Sequence, residues 1–266
     1  MLVALVLSLA ALMWSGVSNL VLGDDGYLLR NLLLTALLLL GAYRAGWGAD
    51  DLGLSPAHLR RGVTVGLVAV AVIAAGLVGG VLLADRVPLV SSLLADERAV
   101  AASDRLLYEA LLRIPLGTAV FEEILFRGVL FGAFLRAAPG SGKALPDSMD
   151  RPLRRRDAAQ PQPGPVLPQR VHASSPRAGE RRAIVATSVV FGLWHVAPTA
   201  VALEVNAVAA TSATGVLAIG AAVVVTTIAG LLFAWLRRVS GSLVAPVLAH
   251  IATNVGGLLA ATAAGP

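Results

Sequence analysis

The sequence reads Phe121-Glu122-Glu123-Ile124-Leu125-Phe126-Arg127 in the middle of an apolar run from about Leu106 to Leu135. Two carboxylates and one guanidinium therefore interrupt a segment that is long enough to cross a bilayer. Each charge near the bilayer centre costs roughly 2.5 to 3.5 kcal/mol on insertion scales, so these groups must face protein or water. The stretch predicts a buried functional site on a membrane-spanning helix.

The composition of the whole chain is that of a polytopic membrane protein. Of its 266 residues, 57% are hydrophobic and only 14% are charged. About 20 apolar residues are needed for each span. We therefore predict an all-α transmembrane bundle of about seven spans, in two parts: N-terminal helices in 1–105 and a core in 106–262 that contains the charged stretch and is interrupted by the loop 137–182. The apolar segments lie at about 1–22, 27–43, 63–84, 106–136, 183–204, 215–236 and 243–262.

The basic residues predict the orientation of these spans. If seven spans alternate, the basic connections share one side, which should be the cytoplasm. They are Arg44 with Arg60 and Arg61, the long loop 137–182, and the turn at Arg237 and Arg238. The N-terminus is then cytoplasmic and the C-terminus external. The net charge of +5 follows the loops, so no nucleic-acid partner is expected.

Two connecting segments have distinctive sequences. The loop 137–182 contains eight prolines and nine Lys or Arg residues, which predicts a disordered, solvated linker. Binding of anionic lipid or RNA by this loop is a less favoured alternative. The segment from Asp50 to Arg61 combines apolar residues with basic ones and predicts a short interfacial helix before the third span; these are Leu52, Leu54 and Leu59, and His58, Arg60 and Arg61.

Polar residues on three separate spans are predicted to lie at one depth in the membrane. At about 1.5 Å per residue, Glu122 lies roughly 21 Å from Arg136 along its helix. His195 lies roughly 20 Å from Arg182, and His250 roughly 18 Å from Arg238. The three arginines mark the same predicted face. A shared buried site explains this agreement better than three unrelated packing residues.

Spacing within the fourth span predicts different roles for the two glutamates. Glu123 and Arg127 are four residues apart and share a helix face, which favours an ion pair. Glu122 is rotated by about 100° from Glu123 and would remain available to polarise a water molecule. The alternative is that all three residues form only a structural salt-bridge cluster.

The two remaining polar sites are histidines. His195 precedes Pro198, where a proline-associated kink would open the backbone. His250 and Asn254 are four residues apart and share a face of the last span. With Glu122, these groups could hold a water molecule and stabilise an oxyanion. Alternatively, Glu122, His195 and His250 could ligate zinc through nitrogen and oxygen atoms, since the chain has no cysteine to supply thiolate ligands.

These motifs resemble those of the CPBP intramembrane endopeptidases, the family of CAAX prenyl proteases and of bacteriocin-processing and self-immunity proteins. The resemblance covers about Leu106 to Leu259. It rests on E-E-x-x-x-R at Glu122, Glu123 and Arg127, F-x-x-x-H at Phe191 and His195, and S-L-x-x-x-x-x-H-x-x-x-N at Ser242, His250 and Asn254. The long Pro/Arg loop looks like an insertion into this pattern.

The resemblance implies hydrolysis of a peptide bond of a membrane-associated protein or peptide. By this resemblance Glu122 and His195 activate the water, while His250 and Asn254 stabilise the oxyanion; Glu123 and Arg127 complete the catalytic set. A zinc-dependent version of the chemistry stays open. The expected location is the plasma membrane of a bacterium. The alternatives are a proton-coupled transporter that uses the Glu/His/Arg cluster as a relay, and a noncatalytic membrane scaffold.

Overall fold

A computed structural model describes residues 2–84, 86–87, 103–137 and 178–264. This part of the chain is helical, with turns between the helices and no β-strand. The predicted all-α fold class is therefore confirmed. Most of the loop 137–182, which was predicted to be disordered, lies outside the described residues.

Nine helices are used below as reference points. Helix α1 is Leu2–Gly16 and continues as a π-helical turn at Val17–Val21. The fourth predicted span is a continuous helix over residues 106–136, called α5, in which α-helical and π-helical turns alternate. The others are α2 (Tyr27–Arg44), α3 (Ala49–Leu52), α4 (Leu59–Ala84), α6 (Ala178–Trp194), α7 (Val196–Val205), α8 (Ala213–Ser240) and α9 (Val244–Ala264).

Six helical segments are long and apolar enough to cross a membrane. They are Leu2–Val21, Tyr27–Arg44, Pro56–Ala84, Ala178–Val205, Ala213–Ser240 and Val244–Ala263. Helix α5 is not among them, and charged residues interrupt its apolar sequence. A helical membrane bundle is thus supported, while the count of seven spans stays a prediction that depends on α5.

Two boundaries differ from the sequence-based expectation. The predicted interfacial helix from Asp50 to Arg61 is two short pieces, α3 and a 3-10 turn at Pro56–His58. Gly53, with a φ of 75°, ends the first piece because such a backbone favours glycine. Helix α6 begins at Ala178, so the last residues of the predicted loop are helical.

One hydrophobic cluster holds the helices together and surrounds the polar site. Its aromatic members are Phe121 and Phe126 of α5, Phe191 and Trp194 of α6, and Phe233 of α8. Ala11 of α1 and Ala249 of α9 belong to the same cluster. The core therefore combines residues of both predicted parts, 1–105 and 106–262.

Candidate active site

The two glutamates lie on a short α-helical turn between two π-helical stretches of α5. The stretches are Glu109–Val120 and Ile124–Leu130, and the turn between them is Phe121–Glu123. π-helical turns change the rotational setting of the following residues and frequently occur at functional sites. Here both carboxylates are buried, with Glu122 4% and Glu123 0% exposed.

Glu123 is the acceptor for two cationic or cation-forming groups. Arg127 Nη1 donates to Glu123 Oε1 at 3.0 Å, which is the predicted i,i+4 ion pair. His250 Nδ1 lies 2.9 Å from the same oxygen, and because a carboxylate only accepts, the histidine donates. Glu123 therefore joins α5 to α9 and neutralises the guanidinium.

The guanidinium of Arg127 is enclosed by aromatic rings. Its central carbon lies 4.2 Å from the ring centroid of Phe191, 5.2 Å from that of Phe233 and 5.7 Å from that of Phe126. Its other terminal nitrogen donates to the carbonyl oxygen of Gly230 at 3.3 Å. Cation–π contacts of this kind are strongest where water is excluded. Arg127 is thus held inside the bundle as a fixed positive charge.

Glu122 faces a different set of side chains from Glu123. Its Oε1 accepts a hydrogen bond from Trp194 Nε1 at 3.1 Å. Its Oε2 lies 3.8 Å from His250 Nε2 and has no hydrogen-bond partner among the described residues. A buried carboxylate oxygen with open lone pairs can accept a proton from a water molecule or bind a polar substrate group.

His195 occupies a break between α6 and α7. Pro198 has no backbone N–H and cannot donate to the carbonyl of Trp194, so the helix is interrupted there, as the sequence predicted. The backbone N–H of His195 donates to the carbonyl oxygen of Gly192, three residues earlier. His195 Nδ1 donates to the carbonyl oxygen of Phe191 at 2.8 Å. In the neutral ring this tautomer leaves Nε2 as a proton acceptor.

The structure brings most of the predicted residues together. Side chains of α5, α6 and α9 meet through the contacts of Glu122 with Trp194 and of Glu123 with His250. The His195 and His250 rings both pack against Phe191. Asn254 is half-buried one turn beyond His250, and its side chain has no hydrogen-bond partner among the described residues. Its predicted contribution to the site stays a prediction.

Comparison with known protein families identifies the family of this chain. The family model of type II CAAX prenyl endopeptidases, Rce1-like, matches residues 105–256. The match covers more than half of the chain and includes every predicted catalytic residue. The chain belongs to this Rce1-like family. The resemblance found in the sequence motifs is thereby confirmed, although no curated protein and no solved structure matches the chain significantly.

Membership of the Rce1-like family indicates the general class of activity, that of a CAAX-type protease. The chain is a CAAX-type protease family member, and the apolar helices show an integral membrane protein. The family match favours the protease over the transporter and scaffold alternatives. It assigns neither a substrate nor a role to any single residue.

A zinc site in this Rce1-like chain would need three ligands on α5, α6 and α9. Among the described residues, no three His, Asp or Glu side chains form a group that could hold a metal ion. His250 Nδ1 is already bonded to Glu123, and Glu122 accepts from Trp194. The side chains as arranged therefore do not support the predicted ligand set Glu122, His195 and His250.

Three residues at the site were not found from the sequence. Trp194 bonds Glu122, and Phe233 stacks on His250 with a centroid distance of 5.0 Å. Ser15 of α1 donates to the carbonyl oxygen of Trp194 at 2.7 Å. The position of Trp194 directly before His195 was the only available signal. Phe233 and Ser15 lie on apolar helices where nothing in the pattern distinguishes them.

Proposed function

We propose that this protein is an intramembrane endopeptidase in which Glu122 activates the attacking water molecule. The observation that supports the proposal is the contrast between the two adjacent glutamates. Glu123 is paired with Arg127, whereas among the described residues no arginine or lysine pairs with Glu122. A general base needs a free lone pair within reach of the water; Glu122 Oε2 keeps one, and the hydrogen bond from Trp194 fixes the orientation of this carboxylate.

In the proposed reaction, Glu122 Oε2 takes a proton from water while the water oxygen attacks the carbonyl carbon of the scissile peptide bond. The carbon becomes tetrahedral and its oxygen becomes an oxyanion. His195 Nε2, left as an acceptor by the Phe191 bond, helps to orient the water. Transfer of the proton from Glu122 to the amide nitrogen lets the C–N bond break. The products are a carboxylic acid and an amine.

In this proposal His250 stabilises the oxyanion. Its Nδ1–H is engaged by Glu123, so its Nε2 can donate only when the ring is an imidazolium. Its ring lies between the two carboxylates, 2.9 Å from Glu123 and 3.8 Å from Glu122. Asn254, one turn further along α9, supplies a second donor in this proposal.

The proposed substrate is a membrane-associated protein or peptide, reached within the lipid bilayer of the bacterial plasma membrane. The family name directs the first search toward peptides with a prenylated C-terminal cysteine. Burial of the site favours a segment that enters it unfolded, since peptide bonds in regular helices are not exposed to attack. Nucleic acid is not an expected partner. The N-terminus and the basic loop are proposed to be cytoplasmic.

The test is cleavage of an internally quenched farnesylated C-terminal peptide by the purified protein in detergent and in vesicles, with an unprenylated peptide of the same sequence beside it. Glu122→Gln should lower turnover by about 10²- to 10⁴-fold. Glu109→Gln, a change of the same kind in the same helix, serves as the control and should leave turnover intact. Near-normal turnover by Glu122→Gln would exclude Glu122 as the base.

If neither peptide is cleaved, membranes containing the active chain and the Glu122→Gln variant are compared by mass spectrometry of protein termini. A terminus present only with the active chain identifies the substrate. The absence of any such terminus, with the chain expressed and folded, would refute the proposed activity.

A further inference from the structure

A serine of the first helix reaches the backbone of the helix that carries His195. Ser15 Oγ donates to the carbonyl oxygen of Trp194 at 2.7 Å, and Ser15 is 2% exposed. The two residues are 179 positions apart in the sequence. Ser15 lies outside residues 105–256, the range that matches the family model. It is therefore a feature of this chain that the family match does not explain.

The carbonyl that Ser15 binds is the one left without its helical partner at the break. In an uninterrupted α-helix the carbonyl of Trp194 would accept from the N–H of residue 198. Residue 198 is a proline and has no N–H. A buried carbonyl without a donor destabilises the structure. The hydroxyl of Ser15 supplies the missing hydrogen bond from another helix.

Two residues at the break also make direct contacts within the site. The Trp194 side chain donates to Glu122, and the His195 ring is anchored on the Phe191 carbonyl. Their shared backbone sets the direction of both side chains. A hydrogen bond at the Trp194 carbonyl therefore restrains the positions of the indole and the imidazole relative to Glu122.

We propose that Ser15 is a positioning residue, which holds the Trp194–His195 backbone so that both side chains meet Glu122 in a reactive geometry. The proposal rests on the proposed proteolytic function of the same site. Ser15 touches no reacting atom and acts through Trp194 and His195. Small displacements of catalytic groups lower turnover strongly while substrate binding changes little.

The test compares Ser15→Ala with Ser8→Ala. Ser8 is a buried serine of the same helix, and among the described residues its hydroxyl bonds only to the carbonyl of Ala4 in its own helix. With the peptide or protein substrate found above, Ser15→Ala should lower kcat about tenfold and leave KM within about twofold. Ser8→Ala should change neither, and Ser15→Thr, which keeps the hydroxyl, should restore kcat.

A second readout does not depend on activity. The four tryptophan indoles, labelled with ¹⁵N, give separate nuclear magnetic resonance signals, and Trp194→Phe identifies the signal of Trp194. Ser15→Ala should move that signal and weaken its protection from hydrogen exchange, while Ser8→Ala should not. If Ser15→Ala unfolds the protein, Ser15→Thr and Ser15→Cys are compared in the same way, since only threonine keeps a strong donor.

An unchanged Trp194 signal in Ser15→Ala, or equal loss of kcat in Ser15→Ala and Ser8→Ala, would overturn the positioning role. A lowered kcat together with a shifted Trp194 signal supports it. If the wild-type chain cleaves no substrate, the proposed function fails, and the Trp194 signal alone then decides whether Ser15 fixes the break.

Discussion

Removing the charge of Glu123 should destabilise the protein much more than removing the charge of Glu109, another glutamate of α5. Glu123 and Arg127 are 0% and 1% exposed, and their nitrogen and oxygen atoms lie 3.0 Å apart. A pair of unit charges about 4 Å apart interacts by about 4 kcal/mol at an effective dielectric constant of 20. In Glu123→Gln the guanidinium keeps the Gly230 carbonyl and three aromatic rings.

These contacts are already present in the wild-type protein and carry no negative charge, so they do not replace the lost counter-charge of Glu123. Breaking a buried ion pair by removing one partner typically costs about 3 to 5 kcal/mol. We expect Glu123→Gln to lower the free energy of unfolding by about that amount. Glu123→Gln combined with Arg127→Met should be less destabilised than Glu123→Gln alone, since no unpaired charge remains.

Glu109→Gln provides the matched control. Glu109 also pairs with an arginine four residues later, Arg113, at 3.0 Å. Glu109 is itself buried, but Arg113 is 24% exposed and keeps Asp24 as a second partner, so this change leaves no buried cation unpaired and should cost less than Glu123→Gln. The free energies are measured by titration with sodium dodecyl sulfate in mixed micelles, followed by circular dichroism. Equal losses for the two single variants, or a double variant as unstable as the sum of its parts, would contradict the reasoning.

Two further predictions concern topology and metal. A reporter inserted within 161–169, in a segment outside the described residues, should be cytoplasmic, and one fused after residue 266 should be external; an external signal from the loop would refute the seven-span orientation. Activity should survive prolonged chelation, because His250 Nδ1 is bonded to Glu123 and Glu122 accepts from Trp194, which fits the direct activation of water by Glu122. One equivalent of zinc, lost together with activity in His250→Ala, would reverse this expectation.

Two kinds of feature could be predicted from the sequence. The first depends on residue spacing within one helix, and the second on how deep a residue lies along its helix from the predicted membrane face. The Glu123–Arg127 pair follows from four-residue spacing, and the break before Pro198 follows from a missing N–H. The meeting of α5, α6 and α9 at one level follows from counting residues from the membrane face. Each inference needs only helical geometry and the cost of burying charge.

The features that could not be predicted depend on how helices are rotated against each other. Sequence reasoning grouped His250 with Glu122, whereas its shorter contact is to Glu123. The π-helical turns in α5 change the directions in which the side chains around Glu122 point, and the local sequence gives no signal that predicts these turns. The role of Ser15 could not be predicted, because serines are common in apolar helices and the sequence does not show that its hydroxyl bonds to Trp194.

The charges of the site give a physical reason for two adjacent glutamates. Glu123 and Arg127 cancel, so the charge of Glu122 is balanced when His250 is an imidazolium. In the proposed reaction, the proton taken from water neutralises Glu122 while negative charge appears on the substrate oxygen beside His250. The net charge of the buried site is then unchanged as the reaction proceeds. A single glutamate would leave either Arg127 or His250 without a counter-charge in a low-dielectric interior, which is costly. The carboxylate of Glu123 therefore neutralises Arg127, and the carboxylate of Glu122 remains available to act as the base.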